Sequence, residues 1–412
     1  IIEEIRNMLS YQVGHYVRSE QIPTRYRNNR IGCFMFLKHK KKPDGRYDRT
    51  KARMVSLGNK QRKHLYSIIS SSTVSLAGVF LLINYASYLK ARMVTYDIKG
   101  AFLHAKFSPD DEPIYLTIGR DIASIWVTID PSAAAFLTEK GELILCLDRF
   151  IYGLKQSPYK FQQLLHQVLR ELGYESCMHD ECILVKRVKG GGISLLSTHV
   201  DDIFQVATND SLIDELHAHL IKAFTQVTFN PKADAYLGMS INTSDDRHTI
   251  KLSQKGLVEE IIDKFLKDGY GALSTPAEAD LFDIDKEADR IDASDNNFLS
   301  IVMSLMYLAR LTRPDILLPV SYLASRAHCP TRQDYAKLGR IIRYLKGTSE
   351  DQVTIGCDDL QLYCHCDASY GIHADGRSHT GYILSLGASH SYLHARSSKQ
   401  KVTAISSTDA EI

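Results

Sequence analysis

An adjacent pair of aspartates, Asp201 and Asp202, is flanked by the apolar runs 193–200 and 203–207, and no other feature limits the possible folds so strongly. Runs of this length, rich in β-branched residues and bounded by glycine, predict β-strands. The acidic pair is therefore expected in a tight turn between two strands. Asp is common in turns for structural reasons alone, so the pair by itself is also typical of an ordinary turn.

A third aspartate strengthens a chemical interpretation. Asp97 ends the apolar run 93–98 and precedes Lys99-Gly100 and a predicted helix at 101–106. Carboxylates at strand ends can converge on one edge of a sheet, where they can hold two Mg²⁺ ions about 3.5–4 Å apart for phosphoryl transfer. Mg²⁺ favours such oxygen ligands and keeps positions open for water and substrate phosphates.

Positive charge is concentrated near the start of the chain. Residues 21–63 contain fourteen Lys and Arg against Asp44 and Asp48, a net charge of +12, whereas the whole chain carries +2. A clustered basic segment matches phosphate, so nucleic acid is a candidate partner. A solvated, lysine-rich hairpin is the structural alternative.

The composition is that of a globular protein of about two to four domains, because 44% of its 412 residues are hydrophobic and 24% are charged. Its eight cysteines form no CxxC pair, which favours a reducing, intracellular setting. Residues 66–89 lack charge but contain too many Ser, Thr and Asn for a membrane span. Because the first residue is Ile1, we expect a fragment of a processed polyprotein.

Periodicity and turn residues predict the remaining elements. Residues 31–57 are expected to form a basic β-hairpin around Pro43-Asp44-Gly45, and residues 74–89 a buried helix. The clearest helix is 160–172, where apolar residues recur at helical spacing and Gly173 gives a stop. The later predictions are a helical pair at 298–325 and 331–346, with Arg313-Pro314 and Cys329-Pro330 as breaks, strands at 362–366, 381–386 and 390–395, and a helix from about 407.

Eight sequence words occur in an order that closely resembles the reverse transcriptase of copia-type retrotransposons. They are, in chain order, Ile31-Gly32-Cys33, Lys51-Ala52-Arg53-Met54-Val55, Tyr96-Asp97-Ile98-Lys99-Gly100-Ala101-Phe102-Leu103, Tyr152-Gly153-Leu154-Lys155-Gln156-Ser157-Pro158, His199-Val200-Asp201-Asp202, Tyr236-Leu237-Gly238, Thr312-Arg313-Pro314-Asp315-Ile316 and Arg343-Tyr344-Leu345-Lys346-Gly347-Thr348. No single word is decisive, but their order is specific. The resemblance covers roughly residues 25–412.

The resemblance implies an α+β fold of the right-hand polymerase type with fingers, palm and thumb, followed by a truncated ribonuclease H-like α/β module. The implied domains are fingers and palm at 21–242, thumb and connection at 243–358, and a partial ribonuclease H-like domain at 359–412.

The resemblance also assigns roles to the residues around the aspartates. Asp97, Asp201 and Asp202 would be the catalytic, metal-binding carboxylates. The implied nucleotide-binding residues are Arg53, Phe102, Tyr152 and Gly153. Arg53 would reach the triphosphate, because a guanidinium is planar and always charged. Phe102 would lie under the sugar and exclude a 2′-hydroxyl; a core aromatic is its structural alternative.

The implied template and primer contacts are Lys155, Gln156, His199, Tyr236 and Gly238. One of them departs from the family, which usually has Tyr where this chain has His199. Histidine keeps a ring and a hydrogen bond, but its charge changes near neutral pH. The substitution is read either as harmless drift or as a loss of activity.

A second site resembles the start of the ribonuclease H module. Asp367, at the end of a predicted strand, and Glu411, at a helix start, match its first two metal carboxylates. The later carboxylate and strands of that module are not in the sequence, so this site is expected to be incomplete, with an unprotected sheet edge. Cys364, His365 and Cys366 do not have a zinc spacing, since neighbours on a strand point to opposite faces.

The resemblance therefore implies an RNA-directed DNA polymerase using two Mg²⁺, with Mn²⁺ as an alternative ion. Its partners would be an RNA template, a DNA primer, the RNA–DNA hybrid, dNTPs and other parts of the same polyprotein, in a cytoplasmic particle or the nucleus, with no membrane. The main alternative is a catalytically inactive relic that still binds primer–template. A nuclease fragment acting alone is a third interpretation, opposed by the missing carboxylate.

Overall fold

The computed structural model describes residues 1–41, 47–66, 68–266, 269–285, 287–291, 297–387 and 391–411. The α-helices are α1 (Ile2–Ser10), α2 (Leu76–Leu89), α3 (Ala101–His104), α4 (Arg120–Ile129), α5 (Ser157–Glu171), α6 (Asp210–Ala223), α7 (Lys255–Phe265), α8 (Phe298–Leu311), α9 (Leu317–Arg326), α10 (Arg332–Gly347) and α11 (Ser407–Glu411). The strands are β1 (Gly14–Tyr16), β2 (Arg30–Lys41), β3 (Tyr47–Ser56), β4 (Arg92–Ile98), β5 (Tyr115–Ile118), β6 (Leu143–Leu147), β7 (Glu175–Ser176), β8 (Ile183–Arg187), β9 (Ile193–His199), β10 (Asp202–Ala207), β11 (Val227–Asn230), β12 (Ala235–Tyr236), β13 (Met239–Thr243), β14 (Ile250–Ser253), β15 (Val353–Ile355), β16 (Leu362–Ser369), β17 (His379–Leu386) and β18 (His394–Lys399).

The described strands form four sheets. The N-terminal sheet has the order β1-β6-β5-β2-β3, and the central sheet has the order β11-β4-β10-β9-β8-β7. A small sheet runs β12-β13-β14-β15, and the C-terminal sheet runs β16-β17-β18. The mixture of largely antiparallel sheets with helices packed on them confirms the predicted α+β class.

The N-terminal sheet contains the predicted basic hairpin. β2 and β3 pair antiparallel from Cys33↔Ser56 outward, which confirms the prediction, while the predicted turn Pro43-Asp44-Gly45 lies outside the described residues. β2 also pairs in parallel with β5, a four-residue strand that the sequence reading missed. β3 is left as the edge of this sheet.

The central sheet positions the predicted catalytic aspartates. β10 lies between β4 and β9, and each of its residues after Asp202 is buried, as expected for a strand covered on both faces. Helices α5 and α6 cover the face that carries Tyr96 and Ile203, whereas α2 packs on the face that carries Phe204. The predicted apolar stripe of α5 is confirmed by its buried residues, and Gly173 has a φ of +89° just beyond the helix.

The predicted helical region 298–325 is interrupted at the predicted break, Arg313-Pro314. α8 ends at Leu311 and α9 begins at Leu317, because Pro314 cannot donate the hydrogen bond that a continuous helix requires. The Arg313 side chain, 2% exposed, fills the break and donates hydrogen bonds to Asp315 and to the Thr348 carbonyl at 2.8 Å. The sequence word around Arg313 is therefore a helix junction.

The C-terminal sheet shares a hydrophobic core with α2 and α8–α10. Tyr392 packs edge-to-face on Phe80 of α2, and its carbonyl accepts a hydrogen bond from the buried Asn84 amide at 3.0 Å. The predicted strand at 390–395 is wrong in its bounds: His390 lies outside the described residues, 391–393 turn into this core, and β18 begins at His394. Within the described part of the chain, no helix is long and apolar enough to cross a membrane.

Candidate active site

Pairing in the central sheet brings two of the three predicted catalytic aspartates side by side. Asp97, near the end of β4, is directly opposite Asp202, the first residue of β10, and Asp202 is in turn opposite His199 at the end of β9. Directly opposed residues of antiparallel strands have side chains on the same face, with Cβ atoms about 4.5–5.5 Å apart. The two carboxylates and the imidazole therefore form one row across the sheet.

Asp201 lies in the turn that joins β9 to β10. The turn consists of Val200 and Asp201, and Val200 has a φ of +59°, a conformation that is costly for a β-branched residue. The Asp201 carbonyl accepts a hydrogen bond from the Ile98 backbone N–H at 3.1 Å. This bond ties the turn to the end of β4, so all three aspartates lie at one end of the sheet, as predicted.

The three carboxylates perturb one another. Burial and the negative charge of Asp201 raise the pKa of Asp97, and Lys51, Lys99 and Arg53 partly oppose this shift. Burial, followed by repulsion from Asp201 and Asp97, raises the pKa of Asp202 to about 6. Coupled carboxylates with raised pKa values are a common feature of functional sites because a bound cation relieves their repulsion.

The donor set suits a hard divalent cation, since all three groups supply carboxylate oxygens. In the described residues, however, no group of three or more His, Cys, Asp or Glu side chains is already gathered to hold a metal ion. Cys364, His365 and Cys366 are exposed on β16 and are likewise not gathered into a metal site.

Arg53, Tyr152 and Phe102 form an aromatic and cationic cluster beside the aspartates. The Arg53 guanidinium lies 4.9 Å from the centre of the Tyr152 ring, and Phe102 meets the same ring edge-on at a centroid distance of 5.0 Å. Burial raises the pKa of the Tyr152 hydroxyl to about 12, with Arg53 opposing the shift and Asp201 and Asp97 adding to it. The predicted nucleotide-binding side chains are thus brought together next to the carboxylates.

Gly153 permits a close approach between two parts of the chain. It has a φ of +93°, and a Cβ added there would clash with the Ser56 carbonyl oxygen and lie 2.8 Å from the Ser56 nitrogen. The neighbouring Tyr152 carbonyl accepts a hydrogen bond from the Ser56 N–H at 2.8 Å. The 152–153 segment therefore rests on the end of β3, the strand that carries Arg53.

Lys155 and Gln156 face the chain segment that follows β3. The Lys155 ammonium donates a hydrogen bond to the Tyr66 hydroxyl at 2.8 Å, and the Gln156 side chain, 4% exposed, bonds to Gln61 and to the Leu65 carbonyl. Gln156 thus has a structural role in this conformation, because a buried amide with internal partners is not presented to a template. Lys155 is half-buried, and its template contact stays a prediction.

His199 is half-buried in the row of aspartates. Its Nδ1 atom is enclosed and has no hydrogen-bond partner among the described residues, although most buried polar atoms have one. The family's usual Tyr has no nitrogen at this position, so the unsatisfied atom is specific to the histidine.

The predicted primer-contact word forms a hairpin turn. Leu237 and Gly238 join β12 to β13 with φ values of +45° and +75°, the pattern of a type I′ turn. The Tyr307 hydroxyl on α8 donates to the Leu237 carbonyl at 2.7 Å, and a Cβ on Gly238 would lie 2.6 Å from that hydroxyl. Gly238 is exposed on the turn.

Tyr236 is not exposed with that turn. Its side chain is 5% exposed, stacks on Phe204 at a centroid distance of 5.0 Å and bonds to the Ser197 hydroxyl at 3.1 Å. The predicted primer contact of this word is therefore assigned to the exposed turn. The buried Tyr236 anchors that turn to the central sheet.

The second predicted site is assembled as far as the sequence allows. Asp367 lies on β16, and a Glu411 carboxylate oxygen accepts a hydrogen bond from the adjacent Ala368 N–H at 3.2 Å. Both acidic side chains are exposed. In the described residues β16 pairs with β17 alone and is an edge strand of its sheet. Its assignment to a ribonuclease H-like module stays a prediction.

Comparison with known families agrees with this arrangement. A family model described as "Reverse transcriptase (RNA-dependent DNA polymerase)" matches residues 23–279, more than half of the chain. The chain belongs to this reverse transcriptase family. Similarity to the Pol polyproteins of plant transposons confirms the copia-type branch that the sequence words predicted.

Two curated relatives of this reverse transcriptase come from plants. The chain is 28% identical over 92% of its length to the Retrovirus-related Pol polyprotein from transposon TNT 1-94 of Nicotiana tabacum. It is 26% identical over 98% of its length to the corresponding polyprotein from transposon RE1 of Arabidopsis thaliana. The chain spans only 28% and 26% of the length of these two proteins.

One solved structure is similar to this reverse transcriptase over 96% of the chain and 42% of its own length. It is the crystal structure of Prototype Foamy Virus Protease-Reverse Transcriptase, with a TM-score of 0.32 and 12% sequence identity.

Sequence reasoning missed several residues that hold the reverse transcriptase site together. They are Glu4, Tyr11, Gln61 and Tyr66, none of which lies in one of the eight words. The apolar spacing of Ile2, Ile5 and Leu9 would have predicted helix α1. No sequence signal would have paired its side chains with β3.

Proposed function

We propose that this chain is an RNA-directed DNA polymerase that extends a DNA primer by nucleotidyl transfer. The observation that carries the proposal is the direct pairing of Asp97 with Asp202, with Asp201 in the adjoining turn and the Arg53–Tyr152–Phe102 cluster beside them. Catalysis of phosphoryl transfer rests mainly on positioning and charge stabilisation, and these groups can supply both.

Asp97, Asp201 and Asp202 would hold two Mg²⁺ ions, or Mn²⁺ in their place. When bound, such ions neutralise charge on the phosphates and lower the pKa of the attacking hydroxyl. The chain's own residues would do the rest: Arg53 binds the triphosphate, Tyr152 supports Arg53, and Phe102 packs against the sugar. The substrates would be dNTPs and a DNA primer annealed to an RNA template.

The proposal extends to the layout of the molecule. The N-terminal sheet would form the fingers, the central sheet the palm, and the helices after residue 243 the thumb and connection. The C-terminal sheet would be the start of a ribonuclease H-like module. Because the chain spans about a quarter of its polyprotein relatives, contacts with other parts of such a polyprotein belong to the same proposal.

The test is primer extension on an RNA template with dNTPs and Mg²⁺. We expect extension by the parent chain and a loss of about 10²–10³-fold in Asp201→Asn, since one preorganised charge is removed from the site. Asp245→Asn, at an exposed position away from the site, is the control and should match the parent.

His199→Tyr separates an active enzyme from a relic. If the folded parent binds primer–template but does not extend it, and His199→Tyr restores synthesis, the defect lies at position 199. Absence of extension by both folded proteins would refute the polymerase and favour the relic.

A further inference from the structure

β3, the strand that carries Arg53, is an edge strand. Two hydrogen-bond acceptors from outside the sheet, a main-chain carbonyl and a carboxylate, cover part of its outer edge. Along β3, alternate N–H groups point away from β2, and those of Met54 and Ser56, which follow Arg53 in the chain, lie on this outer side. The Ser56 N–H donates to the Tyr152 carbonyl, and the Met54 N–H donates to a Glu4 carboxylate oxygen at 3.0 Å. The backbone immediately after Arg53 is therefore held from outside the sheet at two points.

Glu4 is well placed to hold β3 firmly. It lies on α1, whose Ile5 and Met8 are 0% and 1% exposed in the core of the N-terminal sheet, so the helix itself is fixed. Burial raises the pKa of Glu4, while the Met54 N–H and the charges of Arg53 and Lys51 favour its ionised form. A hydrogen bond to an ionised acceptor is about twice as strong as a neutral one.

The same N-terminal segment also contacts the strand that carries Asp97. The Tyr11 hydroxyl donates to the Lys99 carbonyl at 3.3 Å, and its ring lies 3.3 Å from the position of a Cβ on Gly100. Gly100 has a φ of +65° and is the N-cap of α3, the short helix that carries Phe102. Tyr11 is 8% exposed and is therefore packed into this junction.

We propose that residues 1–16, the N-terminal brace, set the position of Arg53 relative to Asp97, with Glu4 and Tyr11 as positioning residues for nucleotide binding. The brace lies before residue 23, where the match to the family model begins. The expected effect on nucleotide binding rests on the proposed function. The restraint of β3 by the N-terminal brace does not.

The physical content is tested by amide hydrogen exchange in the strand 47–56, which requires no activity. We expect exchange of the Met54 amide to be at least about tenfold faster in Glu4→Ala than in the parent, because the carboxylate that accepts its hydrogen bond is removed. Glu4→Gln keeps an acceptor oxygen and should restore most of the protection. Glu3→Ala, at the exposed neighbouring position, is the matched control. Equal Met54 exchange in Glu4→Ala and Glu3→Ala would refute the brace.

The consequence is tested by primer-extension kinetics on the same proteins. We expect Glu4→Ala and Tyr11→Phe to raise the KM for dNTP by about three- to tenfold with a smaller change in kcat, because the pocket is displaced but the carboxylates remain. Tyr88→Phe, on the exposed face of α2, should match the parent. An unchanged KM despite faster Met54 exchange would contradict the positioning role. An inactive parent would refute the proposed function, while the exchange result would still decide whether the brace exists.

Discussion

The negative charge of Asp202, which the predicted metal site requires, destabilises the folded protein. Its carboxylate is held against Asp97 across the sheet, and its pKa is raised to about 6 from a value near 3.8 in an unfolded chain. Between pH 4 and 6 the folded protein therefore holds more protons than the unfolded chain, so stability falls as the pH rises through this window. Above pH 6 the repulsion is fully present.

This repulsion predicts a stabilising but inactivating substitution. In buffer with a chelator at pH 7.5, Asp202→Asn should raise the Tm by roughly 2 °C, since removing about 1 kcal/mol of strain has that effect in a protein of this size. At pH 4 the same substitution should leave the Tm unchanged, because Asp202 is already protonated. Thermal unfolding at both pH values is the measurement, with Asp245→Asn as the control. A lower Tm at pH 7.5 would mean that the carboxylate stabilises the fold.

At the residue scale the sequence predicted where the candidate catalytic residues lie but not which residues hold them in place. Asp97 was predicted at a strand end and Asp202 in the turn between two strands, whereas Asp202 is the first residue of β10 and pairs directly with Asp97. The positive φ of Val200 was not predictable, because a β-branched residue gives no signal for that conformation. The burial of Gln156 was not predictable either, since its partners lie about ninety residues away in the chain.

Among the elements, the contact between the 152–153 segment and the end of β3 is the most sensitive to a single methyl group. Gly153→Ala should destabilise the protein by more than about 1 kcal/mol and raise the KM for dNTP, because the added carbon meets Ser56 and displaces Tyr152 from Arg53. Gly190→Ala is a matched control, since Gly190 has a φ of +102° but open space around its Cβ position. Gly190→Ala should lose only the stability that an alanine forgoes at a positive φ, and its KM for dNTP should not change.

Denaturant unfolding and dNTP kinetics on both variants separate clash from backbone strain. Equal losses in the two proteins would show that the close approach to Ser56 has no energetic weight.

Long, periodic elements were predicted well and short ones poorly. The helix at 160–172 and the strands on either side of Asp201 were confirmed, because their apolar spacing is regular over several residues. β5 and β6 have four and five residues, and runs this short give no reliable period. The helical region 298–325 is divided at Arg313-Pro314, as the proline predicted.

For the whole molecule, the attachment of the C-terminal sheet depends on a pair of neutral histidines. His373 and His379 are buried 3.0 Å apart, His379 also bonds to Ser397, and both rings contact Phe282, which precedes α8. Burial lowers the pKa of His373, with Lys399 adding to the shift and Asp375 opposing it. Burial and then His373 lower the pKa of His379 to about 4.

An acid-sensitive fold follows from this pair. An unfolded histidine protonates near pH 6.5, so the unfolded chain binds more protons than the folded one between pH 6.5 and 4, and stability is lost as the pH falls through that window. Replacing both histidines by Gln should reduce the drop in Tm between pH 7.5 and pH 5 by roughly 4 °C. His179→Gln, at an exposed position, is the control. An unchanged drop in the double variant would exclude the pair as the cause.

The predicted domain boundaries and the hydrophobic cores divide the chain differently. The predicted division at 358 crosses a continuous core, because Tyr392 packs on Phe80 and bonds to Asn84 of α2. Sequence words mark local motifs, whereas a core is formed by contacts between residues that can lie three hundred positions apart. The division into 21–242, 243–358 and 359–412 therefore stays a prediction about function and does not describe the hydrophobic packing.

The contacts of α1 and Tyr11 have a practical consequence for recombinant work. A fragment trimmed to residues 23–279, the extent of the family match, would retain every carboxylate and all of the nucleotide pocket's own side chains. It would nevertheless expose the outer edge of β3 and leave the junction at Gly100 without its packing partner. Weak turnover by such a fragment would reflect the trimming, because the residues that pack together around the aspartates extend beyond the residues that the family match covers.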